Sequence, residues 1–144
     1  MLIEIRPQPY DPWQEISRYQ ENHLAAGSFG ACAVFVGSMR DFNQGDQVSG
    51  MKLEHYEGMT EQQLTQLAVE AIDQHELIDV LLLHRIGEIR PNDPIVLLAA
   101  WSAHRAEAFN ACREMMEMLK SKATFWKKET LTDGERWVDR NTPG

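Results

Sequence analysis

The sequence predicts a single α+β domain in which helices pack against a mixed, partly antiparallel sheet. A chain of 144 residues with a hydrophobic fraction of 43% can close one core and is short for two. Segments with strand-like and helix-like patterns alternate along the chain, yet some strand-like segments are separated only by turns, as in hairpins. We therefore predict one domain over residues 1–144, with a flexible tail from about residue 139.

The first half of the chain is predicted to contain a strand, a helix, a second strand and a long loop. The segment "LIEIR" alternates like a strand, and Asp11 with Pro12 forms a helix start ahead of apolar residues at 13, 16, 19 and 24. The run "GACAVFVG" is apolar and bounded by glycines, which predicts a strand buried on both faces. The segment "SMRDFNQGDQVSG" then predicts a mobile loop or an open hairpin, with Arg40 at its root.

The second half is predicted to contain three further strands and two helices. The segment "MKLEHYE" alternates, and Thr60 with Gln63 forms a capping-box pattern ahead of a helix with regularly spaced apolar residues. Two apolar runs, "IDVLLLHRIGEI" and "DPIVLLAAWSA", are separated by the turn signal "RPNDP" and predict two strands. Ser102 is the predicted N-cap of a second long helix, whose apolar face includes Phe109 and Met115.

Composition excludes several classes of protein. The sequence has no basic amino-terminal segment followed by an apolar run, and no segment approaches the roughly twenty apolar residues of a membrane span. We therefore expect a soluble cytoplasmic protein without a membrane partner. Cys32 and Cys112 each lie in an apolar stretch without ligand-spaced neighbours, which predicts two reduced core residues and neither a disulfide framework nor a metal site.

Charge is distributed unevenly along the chain. A net charge of −8 argues against a nucleic-acid partner, because binding phosphates without sequence preference needs a broad positive surface. Between residues 105 and 128, however, six Lys and Arg stand against three Glu, a local charge of +3 that leaves −11 for the remainder. This cationic region predicts a pocket for a compact anion or a binding surface for an acidic partner.

Lys120 and Lys127 are the strongest candidates for chemistry. They are seven residues apart, which on a continuous helix separates them by roughly 10 Å, but a break near Ala123 would let the two amines converge. Neighbouring ammonium groups lower each other's pKa, so one of the two could act as an acid, base or nucleophile near neutral pH. The alternative is that both remain solvated and complement the helix dipole.

Other charged residues are candidates for anion binding. His104 and Arg105 fall at the start of a predicted helix, where backbone N–H groups and an arginine could hold a phosphate or carboxylate, although His104 could equally bond a neighbouring loop. Arg40 is either a solvated arginine or an arm that closes on an anion. His55 and His84 lie in predicted strands; either could act as a base, but structural roles are expected there.

Six segments, taken in order and with their spacing, match a known family: "FVGSMRDFNQGDQV", "LEHYEGMTEQQL", "HRIGEIRPND", "SAHRAEAF", "LKSKATFWKKE" and "GERWVD". From about Phe35 to Val138 the chain resembles the large, catalytic subunit of molybdopterin synthase. The combination of "SAHR" with "LK…FWKKE" is the most specific part of the match.

The resemblance implies an α/β-hammerhead-type fold and a sulfurtransferase without a cofactor or a metal. In that family the large subunit binds cyclic pyranopterin monophosphate, and a small ubiquitin-like subunit inserts a C-terminal Gly-Gly tail that ends in a thiocarboxylate. Sulfur passes twice from the tail to the pterin and forms the dithiolene of molybdopterin. Large subunits form a homodimer within a heterotetramer that carries a small subunit at each end.

The resemblance also assigns roles to residues of this chain by position. Lys120 and Lys127 match the two catalytic lysines; we expect acid–base or nucleophilic work from Lys120 on its packed helix and neutralisation of developing charge from Lys127. The substrate-binding residues implied by the match are Ser38, Met39, Arg40, His104, Arg105, Lys120, Lys127, Lys128 and Glu129.

Two positions depart from the usual pattern of the family. Lys122 stands in place of an arginine and cannot reproduce a bidentate Arg fork. Thr124 stands in place of a proline, which predicts a freer backbone before Lys127. A rival hypothesis is a non-catalytic anion-binding or scaffolding module, in which the lysines hold an acidic partner tail and perform no chemistry.

Overall fold

The computed structural model describes residues 1–138 and confirms the α+β class, with helices packed on a mixed sheet. Within this range the elements are β1 (Leu2–Arg6), α1 (Pro12–His23), β2 (Ala31–Ser38), β3 (Phe42–Asn43), β4 (Asp46–His55), α2 (Met59–His75), β5 (Asp79–Arg85), β6 (Gly87–Ile89), β7 (Pro94–Ser102), α3 (Arg105–Lys122), β8 (Phe125–Leu131) and β9 (Gly134–Val138). The tail predicted to be flexible from residue 139 lies outside the described residues.

The larger core surrounds a four-stranded sheet with the strand order β1-β5-β7-β2. β1 is parallel to β5, and the other neighbours are antiparallel. Helix α1 covers one face, where Tyr19 packs against Trp101 with ring centroids 5.6 Å apart. Helices α2 and α3 cover the opposite face with Leu64, Leu67 and Met115 among their buried residues. The buried stripes of α2 and α3 thus determine which face of α3 remains for a site.

The second sheet is smaller and carries the segment that contains Lys127. β4 pairs with β3, with β6 and with β8, and β9 extends the sheet beyond β8. Its core comprises Met39, Val48, Met51, Leu53 and Ile89. Because side chains alternate along a strand, residues 125, 127, 129 and 131 of β8 face inward and residues 126, 128 and 130 face outward.

Strand β2 corrects the prediction of a strand buried on both faces. It is an edge strand of the four-stranded sheet, and Cys32, Val34 and Phe35 are exposed in the chain. An apolar run does not reveal whether a strand has neighbours on both edges or a layer over both faces. The prediction that Cys32 is a core residue is therefore wrong, whereas Cys112 is buried in α3.

Helix starts differ from the predicted ones in α2 and α3. Helix α3 begins at Arg105 with His104 as the N-cap, and the hydroxyl of Ser102 donates to the carbonyl of His104 instead of capping the helix. Helix α2 begins at Met59, and Gly58, with φ +87°, precedes it. The backbone N–H of Gly58 donates to the carboxylate of Glu61 at 2.6 Å. Thr60 and Gln63 therefore do not form the predicted capping box.

The segment predicted as a loop or open hairpin is a short hairpin between β3 and β4. Gln44 and Gly45 occupy its turn with φ of 53° and 81°, the left-handed conformation that a two-residue hairpin turn of type I′ requires at both positions. The exposed Trp13 on α1, 64% accessible, does not join the predicted apolar face. Within residues 1–138, no helix is long and apolar enough to cross a membrane, and no cluster of His, Cys, Asp or Glu side chains could hold a metal ion.

Candidate active site

A cavity of about 610 Å³ lies between β2, α3 and the inner face of the second sheet. Its apolar lining includes Phe35 on β2 and Phe109 and Met116 on α3. Four cationic side chains also line it: Arg40, Arg113, Lys120 and Lys127. Arg113 pairs with Glu117, which also lines the cavity, so Arg40, Lys120 and Lys127 remain as the cations beside the apolar wall. This arrangement suits a flat organic ligand that carries negative charge.

The two lysines converge because the chain turns between them. Helix α3 ends at Lys122, and Ala123 adopts an extended conformation with φ −75° and ψ 137°, so β8 runs away from the helix end. Lys120 lies in the last turn of α3 and Lys127 on the inward face of β8, where their side chains interact directly. Lys120 and Lys127 therefore do not lie on one continuous helix, which would have held the two amines apart.

The environment of Lys127 lowers its pKa to about 8. Burial of the amine is the main cause, and the positive charges of Lys120 and Arg40 act in the same direction, while the carboxylate of Glu129 opposes them. With this pKa, about a tenth of the Lys127 amines are neutral at pH 7. Lys127 can therefore accept a proton under conditions in which a solvated lysine is almost entirely charged.

His84 is a buried histidine close enough to the lysine pair for both amines to affect its pKa. It is 4% exposed, its ring stacks on Phe125 with centroids 3.8 Å apart, and its Nδ1 lies 2.9 Å from the carbonyl oxygen of Arg85. Since a carbonyl only accepts, Nδ1 carries the proton of the neutral ring. Burial lowers the pKa of His84 to about 3, and Lys120 and Lys127 contribute to the shift. His84 therefore adds no positive charge near the amines.

The buried neutral His84 predicts an acid-sensitive fold. Its pKa is about 3 in the folded chain and 6.5 ordinarily, so between these values the unfolded chain binds a proton that the folded chain does not. Above pH 6.5 the titration of His84 does not reduce the free energy of unfolding. As the pH falls from 6.5 toward 3, the free energy of unfolding decreases by roughly 1.4 kcal/mol per pH unit. Urea denaturation of the parent and His84→Leu between pH 7 and 5 should show a weaker pH dependence in the variant. Equal slopes would contradict this prediction.

Comparison with known proteins identifies the family. The family model described as "MoaE protein" matches residues 7–122. The molybdopterin synthase catalytic subunit of Pseudomonas aeruginosa is 45% identical over 139 residues, covering 96% of this chain and 91% of the relative. The chain belongs to the MoaE family.

Solved structures agree with this membership. The molybdopterin biosynthesis MoaE protein of Burkholderia ambifaria superposes with a TM-score of 0.81 at 41% identity, covering 99% of this chain and 92% of that one. A chain from Helicobacter pylori, solved as a complex of subunits 1 and 2 of molybdopterin-converting factor, shares the fold with a TM-score of 0.81 at 20% identity, covering 99% and 93% of the two chains.

In this MoaE-family chain, Ser38, Met39 and Arg40 form one anchored segment at the cavity. Met39 is buried, its N–H donates to the carbonyl of Asp93, and its carbonyl accepts from Asn92, both at 2.9 Å. Ser38 and Arg40 flank this anchor and line the cavity. The guanidinium of Arg40 lies 4.8 Å from the ring centroid of Phe42 on the following hairpin. The two backbone hydrogen bonds of Met39 thus fix the position of the backbone from which the Arg40 side chain extends.

Glu129 and Lys128 occupy opposite faces of β8. The buried carboxylate of Glu129 accepts from Asn43 at 3.0 and 3.1 Å and from Arg136 at 3.0 Å, so it ties β8 to the hairpin and to β9 at the cavity edge. Lys128 faces outward, where its ammonium pairs with Glu135 at 2.7 Å. Lys128 is not among the residues that line the cavity.

His104 and Arg105 are not brought to the lysines within one chain. They are exposed at the first turn of α3, and Lys120 lies in the last turn, about fifteen residues and therefore roughly 22 Å away. Neither residue lines the cavity. Arg40 lines the cavity whereas His104 and Arg105 do not, so these three candidates for anion binding do not form one site within a single chain.

Sequence reasoning missed the two strands that complete the site. β8 and β9 were not predicted, although the spacing of Phe125, Lys127 and Glu129 has the two-residue period of a strand. Asn43 and Arg136, which hold Glu129, gave no separate signal because each is a common surface residue type. The role of His84 could not be found in the sequence, because its contact with Phe125 joins positions 41 residues apart.

Proposed function

We propose that this chain is the catalytic subunit of a molybdopterin synthase and transfers sulfur from the thiocarboxylate of a small subunit to cyclic pyranopterin monophosphate. The observation that carries the proposal is the pair of Lys120 and Lys127 at the cavity, where burial, together with the neighbouring charge of Lys120, lowers the pKa of Lys127 to about 8. Surface lysines that merely complement a helix dipole remain solvated. A buried, partly neutral lysine is suited to proton transfer.

The cavity suits both anionic reactants. Its volume of about 610 Å³ lies within the range typical of small-molecule sites, and its cations complement the phosphate of the precursor. We propose that the C-terminal Gly-Gly tail of the small subunit enters the same cavity. The Helicobacter pylori relative was solved as a complex of two subunits, which supports such an assembly.

The lysine pair suggests a division of roles during transfer. In each transfer one carbon of the precursor exchanges a C–O bond for a C–S bond, and the displaced oxygen leaves that carbon as water or with the phosphate. An oxygen from water takes the place of the sulfur on the tail, which becomes a carboxylate. Lys127, with its lowered pKa, is suited to accept and return the protons of these steps. Lys120 is suited to stabilise negative charge that develops on the tail. This proposal exchanges the roles assigned from the sequence, because burial of Lys127 could not be read there.

We further propose that two copies of the chain form a dimer and that the second copy supplies His104 and Arg105. Within one chain these residues are remote from Lys120, yet the edge strand β2 exposes Val34 and Phe35 beside the cavity. The edge of a sheet with exposed apolar side chains favours pairing with another chain. A two-fold dimer would then complete two equivalent sites.

Arg105→Ala should weaken binding of the precursor by about 1.5–3 kcal/mol, the usual range for a charge-assisted hydrogen bond. Isothermal titration of the dimer with the precursor measures this change, and Arg18→Ala on the exposed face of α1 is the matched control. Unchanged affinity in Arg105→Ala would remove this residue from the site.

Mixing variants tests whether the site is shared between copies. Chains carrying Lys120→Ala and chains carrying Arg105→Ala are unfolded and refolded together. If both residues serve one site from different chains, each mixed dimer contains one intact site of two. About a quarter of parental activity then returns at a precursor concentration between the Kd of the parent and the weaker Kd of Arg105→Ala. No recovery in the mixture, with dimers present, would contradict sharing.

The rival function is a non-catalytic module that holds an acidic tail. The purified chain, the thiocarboxylated small subunit and the precursor are incubated together, and molybdopterin is measured. The proposal predicts product that depends on all three components. Complex formation without product would favour the rival function.

A further inference from the structure

The turn between Lys120 and Lys127 is held from outside by the first turns of α2. The backbone N–H of Thr124 donates to Oε1 of Gln63 at 2.8 Å, and the hydroxyl of Thr124 donates to the same oxygen at 2.9 Å. The hydroxyl of Thr60 donates to the carbonyl oxygen of Thr124 at 2.8 Å. Both backbone polar groups of Thr124 are thus bonded to α2.

Thr60 and Gln63 are free to make these contacts because another residue caps α2. Glu61 accepts the N–H of Gly58 at 2.6 Å, so the side chain that bonds the backbone at the helix start belongs to neither Thr60 nor Gln63. Thr60 is fully buried, and its hydroxyl also accepts the N–H of Tyr56 at 3.0 Å, so it is used both as a donor and as an acceptor. A buried hydroxyl with both roles satisfied has one preferred orientation.

The conformation at Thr124 determines where the amine of Lys127 lies. Lys120 is carried by α3 and Lys127 by β8, and Ala123 and Thr124 are the only residues between the two elements. Beyond the turn, Phe125 is fixed by its stacking on His84. A rotation of the backbone at Thr124 would move β8 relative to α3 and separate the amines.

We propose that Gln63 and Thr60 are positioning residues of the active site: by holding Thr124 they set the contact between Lys120 and Lys127. The importance of this contact for turnover rests on the function proposed above, whereas the contact itself can be measured without turnover. Thr124 stands where the family commonly has proline. A threonine has an N–H and a hydroxyl that need an acceptor and proline has neither, so this chain needs the acceptor on Gln63.

The first test replaces Gln63 by methionine, which keeps the length of the side chain and removes the acceptor. The pKa of Lys127 is measured by NMR titration of the lysine side-chain carbons in the purified chain, with Lys127→Arg for assignment. The parent should titrate near 8, and Gln63→Met should shift toward the ordinary 10.5, because displacement of β8 exposes Lys127 to solvent and separates it from Lys120. The groups that face Lys127 and remain in both proteins are Lys120 on α3, Glu129 on β8, Arg40 after β2 and His84 on β5.

Turnover provides the second readout. In Gln63→Met, kcat should fall roughly ten- to a hundredfold with the KM for the precursor little changed, because misplacement of a catalytic group affects the chemical step. Gln62→Met, at the exposed neighbouring position, is the matched control and should behave as the parent in both measurements.

Thr124→Pro distinguishes positioning from a general loss of structure. Ala123 already has the extended ψ of 137° that suits a residue before proline, and proline needs no acceptor at this position. Combined with Gln63→Met, Thr124→Pro should return the Lys127 pKa and kcat toward parental values. The proposal is overturned if Gln63→Met leaves the Lys127 titration unchanged, or if the proline fails to restore it. Absence of turnover in the parent would count against the proposed function alone, since the titration does not depend on it.

Discussion

Lys120→Ala should abolish molybdopterin formation while the chain still binds the small subunit. Its loss removes the charge that we propose stabilises the tail, and it also removes a neighbour whose positive charge lowers the pKa of Lys127. Both amines are thereby impaired by one substitution. We expect product formation to fall by roughly a thousandfold or more under saturating substrates, measured in the reconstituted synthase.

Lys122→Ala is the matched control for this prediction. Lys122 lies in the same helical turn as Lys120, but it is exposed and does not line the cavity. Its loss should reduce turnover only a few-fold. A rate close to the parent's in Lys120→Ala would contradict the assignment and favour a purely structural role at the end of α3.

Lys127→Ala should leave a trace of activity, lower than the parent's by roughly a hundredfold or more. The amine with a pKa of about 8 is lost, but Lys120 remains to bind and stabilise an anion. In the parent, the rate of the chemical step should rise as pH increases through about 8, because the neutral form of Lys127 is the proton acceptor.

The outward-facing neighbour supplies the control for Lys127. Lys128 pairs with Glu135 on the opposite face of β8, so Lys128→Ala should leave the pH profile and kcat near parental values. If the rate of the chemical step in Lys127→Ala still rises near pH 8, another group titrates in this step. That result would contradict the proposed role of Lys127 as the proton acceptor.

Much of the fold follows from local patterns in the sequence. Asp11 and Pro12 predict the start of α1 correctly, and the apolar runs predict β5 and β7. The error at β2 has a physical cause: the exposure of Val34 depends on which strands and layers surround it, and a run of apolar residues contains no such information.

The site could be predicted in its residue types and only partly in its geometry. Lys120 and Lys127 stand out because they interrupt an acidic chain, and the possibility that the chain turns between them was visible from the sequence. Their actual contact depends on Gln63, more than fifty residues before Lys120, and on the face of β8 that points inward. The distance from Arg105 to Lys120 follows from the predicted helix itself, because Arg105 lies at its start and Lys120 in its last turn.

The fate of the sulfur on the small subunit tests the central claim most directly. The thiocarboxylated small subunit is incubated with the precursor and this chain, and the mass of its C-terminus is followed by mass spectrometry. We predict conversion of thiocarboxylate to carboxylate in step with molybdopterin formation, and loss of this conversion in Lys120→Ala. A thiocarboxylate that remains intact in a stable complex with the parent chain and the precursor would contradict sulfur transfer at this site.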